Sequence, residues 1–116
     1  MKLLYASIAA ALIAAPAFAQ DGEHTPDPVN GEAVYTQWCA ICHNPGPAHN
    51  PGTAALTKKY AGTDTNPVLA ERGGIPAPMV EYFVRNGVSV MPFFRKTEIS
   101  DDDLAHIAAW LNRDAE

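Results

Sequence analysis

The sequence predicts an all-α domain: four or five short helices joined by long loops. Three observations carry that expectation. Apolar residues recur at helical spacing over residues 77–86 and again over 104–111. Residues that start and stop helices bracket such stretches, with Asn30 and Ser100 at candidate N-caps and Asn86-Gly87 as a left-handed ending. No run after residue 19 reads as a buried, Val/Ile-rich strand.

The chain opens with Met1-Lys2, an apolar run over 3–15, and Ala17-Phe18-Ala19 before Gln20, the A-x-A form of a cleavage site. Residues 1–19 are therefore expected to be a secretory signal peptide, cut after Ala19 to leave a periplasmic protein. A retained anchor fits less well, because even the longer apolar stretch over 3–19 barely reaches the ~20 residues of a spanning helix and carries Pro16 near its end. No membrane span is expected in the mature protein. Cleavage would leave 97 of 116 residues, enough for one small domain. It would remove one of 8 basic residues and none of 13 acidic ones, taking the formal charge from −5 to −6. Nucleic acid and anionic membrane surfaces need a dense basic face, which this chain lacks. A domain of this size buries only roughly 60–65% of its unfolded surface and usually needs a staple. Its two cysteines, Cys39 and Cys42, are too close in sequence to tie distant segments together, so the staple points to a cofactor.

Residues 20–29 are acidic, proline-containing and aperiodic, and are expected to form a mobile leader before a domain over 30–114. Asn30 can N-cap a helix over 31–38, with Glu32 favourably placed in its first turn. Residues 44–65 read as loop, with at most a turn or two of helix around 54–59. Asn66-Pro67 is a helix start for 68–72, stopped by Gly73-Gly74. The helix over 77–86 places Met79, Val80, Phe83 and Val84 on one face. Pro92 keeps 88–94 out of a helix. Ser100 and Asp103 have capping-box form and open a final helix with Leu104, Ile107, Ala108 and Leu111 on one stripe.

The chemistry concentrates in Q-W-C-A-I-C-H at 37–43, which admits three readings. A redox dithiol, as in an exported thiol-disulfide oxidoreductase, needs C-x-x-C at a helix start after a buried strand. Here a polar, helix-periodic segment precedes it. A zinc or iron-sulfur site needs further distant ligands, yet no third cysteine exists and His43 and His49 lie close to Cys42. The third reading is C-x-x-C-H as a covalent haem site. On a helical turn Cys39, Cys42 and His43 project to one side, so two thiols can bond one porphyrin while the imidazole meets its iron. This accounts for both cysteines of an exported chain without a disulfide.

A haem held by His43 leaves one axial position. Met91 is the candidate ligand, 48 residues downstream in an interhelical loop stiffened by Pro92, with Val90, Phe93 and Phe94 to exclude water. Its competing role is core packing. Met79 is expected to pack with Phe83, His106 to be a half-exposed helix residue, and His24 and His49 are weaker ligand candidates. A thioether favours Fe(II), so His/Met ligation raises the reduction potential relative to two histidines. An open sixth position would instead point to a haem enzyme or ligand sensor. With both axial positions filled, single-electron transfer is the chemistry left.

Taken together, G-E-A-V-Y-T-Q-W-C-A-I-C-H at 31–43, M-P-F-F at 91–94 and I-S-D-D-D-L-A-H-I-A-A-W-L at 99–111 resemble the class I c-type cytochromes. That resemblance implies a small cytochrome c-like domain around one covalently bound haem c, an electron carrier rather than a catalytic enzyme. It also implies a close crossing of first and last helices, with Gly31, Tyr35 and Trp110 at the contact. A proline carbonyl should hold the second nitrogen of His43, and Pro51, or else Pro47, would supply it. Residues 69–76 and 84–94 are similar to the cytochrome subunits of p-cresol methylhydroxylase and eugenol hydroxylase-type flavoproteins. The partners so implied are a flavoprotein electron donor and a downstream acceptor. Arg95 and Lys96 are either solvated turn charges or a rim that orients such a partner.

Overall fold

The computed structural model describes residues 25–46 and 50–114. The expected signal peptide, His24 and the rest of 20–24, and Pro47 and His49 lie outside the described residues. Among the described residues six helices follow in order: α1 (Pro28–Trp38), α2 (Ala40–His43), α3 (Pro51–Lys59), α4 (Leu69–Arg72), α5 (Ala77–Asn86) and α6 (Asp101–Leu111). Among the described residues there is no strand, only an isolated bridge between Val88 and Met91. The all-α expectation holds.

Helix α1 begins three residues before the expected Gly31 and takes in the last two residues assigned to the leader. Asp27, rather than Asn30, is its cap: the carboxylate accepts the Val29 N–H at 2.9 Å, and Pro28 fills the first turn, where no donor is needed. The earlier start has a consequence on α6. The Asp27 N–H donates to Nδ1 of His106 at 2.7 Å, and His106 is buried rather than half-exposed as expected. A buried imidazole requires such a partner.

The packing of α1 on α6 is the most extensive contact between helices. Gly31 makes it possible, since a Cβ there would lie 2.0 Å from the His106 carbonyl oxygen. One turn on, Tyr35 lies against Trp110 with ring centroids 4.6 Å apart. Ser100 caps α6 as the capping box predicts: its Oγ accepts the Asp103 N–H at 3.0 Å and donates to the Asp103 carboxylate at 2.8 Å. The stripe Leu104, Ile107, Ala108 and Leu111 is buried throughout.

Helix α5 has the expected bounds and ends at Gly87, whose φ of 67° is the left-handed conformation glycine tolerates. Its apolar face divides, however. Val80 and Val84 enter the core, whereas Met79 is 44% exposed. Helix α4 starts at Leu69, because Asn66 spends its side-chain oxygen on the Val68 N–H at 2.9 Å and closes a turn instead of capping the helix. Helix α3 runs nine residues where a turn or two was expected.

Candidate functional site

The backbone at Trp38–Cys39 breaks α1 and restarts as α2. Cys39 ends α1, its N–H donating to the Tyr35 carbonyl at 2.8 Å, while its own carbonyl accepts from Cys42 N–H at 3.1 Å and His43 N–H at 3.0 Å. Cys39, Cys42 and His43 therefore share a single turn, at the helical spacing the motif requires. Cys39 packs against the core beside Trp38 and Ala40, and Ile41 between the cysteines is 78% exposed.

The start of α3 clamps the far side of this turn. Asn50 donates to the Asn44 carbonyl at 2.7 Å, and Thr53 Oγ1 reaches the same oxygen at 3.1 Å and that of Cys42 at 3.4 Å. Gly52 lies flat against the imidazole: a Cβ there would fall 2.7 Å from Cε1 and 2.8 Å from Nδ1 of His43. These contacts explain why Pro51–Lys59 folds as helix despite weak periodicity. Asn50, Gly52 and Thr53 carry no motif signal, and only their place after C-x-x-C-H and before an alanine run could have suggested them.

Two electrostatic features follow from burial. Desolvation holds His43 below its ordinary pKa, so the imidazole is neutral, the form that ligates a metal. Burial, with the Cys42 thiol nearby, pushes Cys39 up to about 11. A catalytic dithiol needs the opposite shift. His43 Nδ1 is also buried without a hydrogen-bond partner. Pro51, at the first position of α3, neighbours Gly52, but no hydrogen bond joins it to that nitrogen.

Met91 sits on a separate projection. Val88 and Met91 exchange backbone bonds of 3.1 and 2.9 Å, Ser89 takes φ 54°, and Gly87 packs beneath, where a Cβ would lie 2.6 Å from the Met91 carbonyl oxygen. Met91 is half-buried between the exposed Val90 and Phe93. Phe94 joins this projection to the cysteine turn, packing edge-on against Trp38 with centroids 6.0 Å apart.

The donor set fits a haem better than a bare ion. Among the described residues no group of three or more His, Cys, Asp or Glu side chains is placed to hold a metal by itself. The chain instead offers one neutral imidazole with an orphaned second nitrogen, two adjacent thiols on the same turn, and exposed apolar side chains at Val90 and Phe93 on either side of Met91.

Arg95 pairs with Glu98 at 2.9 Å, and Lys96 with Asp101 at 2.5 Å. Both side chains are exposed, in keeping with the reading of the pair as solvated turn charges.

No helix among the described residues is long and apolar enough to cross a membrane. Residues 26–111 match the family model described as cytochrome C oxidase, cbb3-type, subunit III. No curated protein matches the chain.

Proposed function

The chain belongs to the cytochrome c family described as cytochrome C oxidase, cbb3-type, subunit III, and from that membership we propose an exported, monohaem electron carrier with His43 and Met91 as axial ligands. Cys39 and Cys42 hold the haem as thioethers. The observation that carries this reading is the single turn presenting both thiols and a neutral His43 whose ring rests on Gly52.

When bound, haem c supplies a one-electron Fe(III)/Fe(II) couple. The chain's own residues position and insulate it. His43 would hold the iron through its neutral imidazole, and its buried, unpartnered Nδ1 calls for a carbonyl acceptor, the role proposed for Pro51. Met91 offers a soft sulfur that favours the reduced state. Val90 and Phe93 exclude water from the edge. With His43 and Met91 both holding the iron, no position would be left for a substrate, and the function that follows is transfer of single electrons between redox partners.

For the donor we propose a flavoprotein dehydrogenase of the alkylphenol hydroxylase kind, supported by the likeness of residues 69–76 and 84–94 to the cytochrome subunits of those enzymes. The A-x-A segment ending at Ala19 supports periplasmic delivery. The thiol-disulfide reading is disfavoured by the raised Cys39 pKa.

The test is spectroscopic. Exported protein should show a reduced c-type spectrum that survives acid-acetone extraction, and a far-red sulfur-to-iron band in the oxidised state. Replacing both cysteines with serine should abolish retention of colour after extraction. Met91→Ala should remove only the far-red band; its persistence would place the sixth ligand elsewhere.

A further inference from the structure

We propose that Arg85 is the residue that positions Met91, acting at a distance through the backbone of Phe94; the inference rests on the reading of Met91 as axial ligand. Arg85 lies in the last turn of α5, and its side chain is largely buried, with 23% of its surface exposed. Its guanidinium makes three bonds: Nη1 donates to the Phe94 carbonyl at 3.1 Å and the Ile99 carbonyl at 2.9 Å, and Nη2 to Asp101 at 2.8 Å. A planar fork of five donors can bridge two carbonyls and a carboxylate at once, which an ammonium on a flexible stem does less well.

The neighbouring residue completes the grip. The Phe94 N–H donates to the Val84 carbonyl at 2.8 Å, so consecutive residues of α5 hold the N–H and the C=O of Phe94. Gly87, at the end of α5, fixes the other foot of the excursion. Residues 87–94 are thus a loop with both feet on one helix turn, and Met91 lies on its returning arm, paired with Val88. Short closed loops have little conformational freedom to lose. Without Arg85 the Val84–Phe94 bond and the packing of Phe94 on Trp38 are left to hold the Met91 side alone, so the foot at Phe94 is looser and the Met91 sulfur is less often in place. The nearby turn has its own bonds, Glu98 N–H and Ile99 N–H both donating to the Arg95 carbonyl, and these survive loss of the guanidinium.

The ion pair with Asp101 is secondary here. Asp101 is exposed and shared with Lys96, and pairs of that kind contribute little. The two carbonyls carry the positioning.

The experiment uses haem-loaded, full-length protein and exogenous imidazole, which must displace Met91 to bind. Its apparent affinity therefore counts the fraction of molecules with the sulfur off. Arg85→Met should tighten imidazole binding about tenfold, equivalent to about 1.4 kcal/mol, and weaken the far-red band. Arg85→Lys, the milder variant should Arg85→Met fold poorly, should give a severalfold change. Asp101→Asn should stay within about twofold of the parent. Denaturation midpoints of the same proteins separate a general loss of stability from a local one. Unchanged imidazole affinity in Arg85→Met and Arg85→Lys overturns the proposal, as does an Asp101→Asn effect of equal size. A parent protein lacking the far-red band overturns the ligand reading itself, a result distinct from either.

Discussion

The indole of Trp38 meets the ring of Phe94 edge to face, centroids 6.0 Å apart and planes 75° from parallel. One ring precedes Cys39 and the other follows Met91 by three residues, so this contact joins the two segments assigned to the haem. Edge-to-face pairs contribute about 0.5–1.5 kcal/mol beyond their buried area. A double-mutant cycle of Trp38→Ala and Phe94→Ala, read by chemical denaturation of the haem-loaded protein, should return a coupling in that range. Additivity within about 0.3 kcal/mol would mean that the rings do not touch.

Gly31 gives a test by sign. Alanine in the middle of a helix normally stabilises by about 0.5–1 kcal/mol over glycine. Here the added Cβ would fall 2.0 Å from the His106 carbonyl oxygen, and α1 must move off α6. Gly31→Ala should therefore lower stability by about 1–3 kcal/mol. A more stable variant would show that the helices cross farther apart.

Cys39 should be a poor nucleophile before haem attachment. With its pKa pushed up to about 11 from 9.0, its thiolate fraction at neutral pH falls about a hundredfold, and only the thiolate reacts. Haem-free Cys42→Ser protein loses the contribution of the second thiol but keeps the burial, so its alkylation at pH 7 should still be slower than that of an unfolded control. Equal or faster reaction would restore the dithiol reading.

The loop after Phe94 should weaken in acid. The Lys96 and Arg85 cations hold Asp101 below its ordinary 3.8, and Arg95 holds Glu98 below 4.5. A depressed folded pKa means that the unfolded chain binds protons first as pH falls. The stabilisation is present above about pH 4.5 and is lost as pH drops through the folded values. Both carboxylates are exposed, so the effect is small and fades with salt. Urea midpoints at pH 6 and pH 3 should differ less in Glu98→Gln, Asp101→Asn double variants than in the parent; an identical acid dependence would remove these pairs from the account.

Where local chemistry sets an element, the sequence was legible. Ser100 with Asp103, and Asn86-Gly87, mark the start of α6 and the end of α5 at the observed residues. Two N-cap types compete before α1, and Asp27 wins over Asn30 for reasons outside the segment: Pro28 follows it, and its N–H meets His106 from a helix 79 residues away. Helix α3 has weak periodicity of its own, and its start is fixed by the contacts of Asn50, Gly52 and Thr53 with the cysteine turn. C-x-x-C-H could be read because five neighbouring residues carry it. Arg85 could not, since its partners Phe94 and Ile99 become neighbours only on folding.

The most direct measurement is the intact mass of the exported protein under denaturing conditions, taken with a thiol titration. The account predicts one polypeptide plus one haem, inseparable in acid-acetone, with neither Cys39 nor Cys42 reactive. An iron-free polypeptide with two titratable thiols would contradict it.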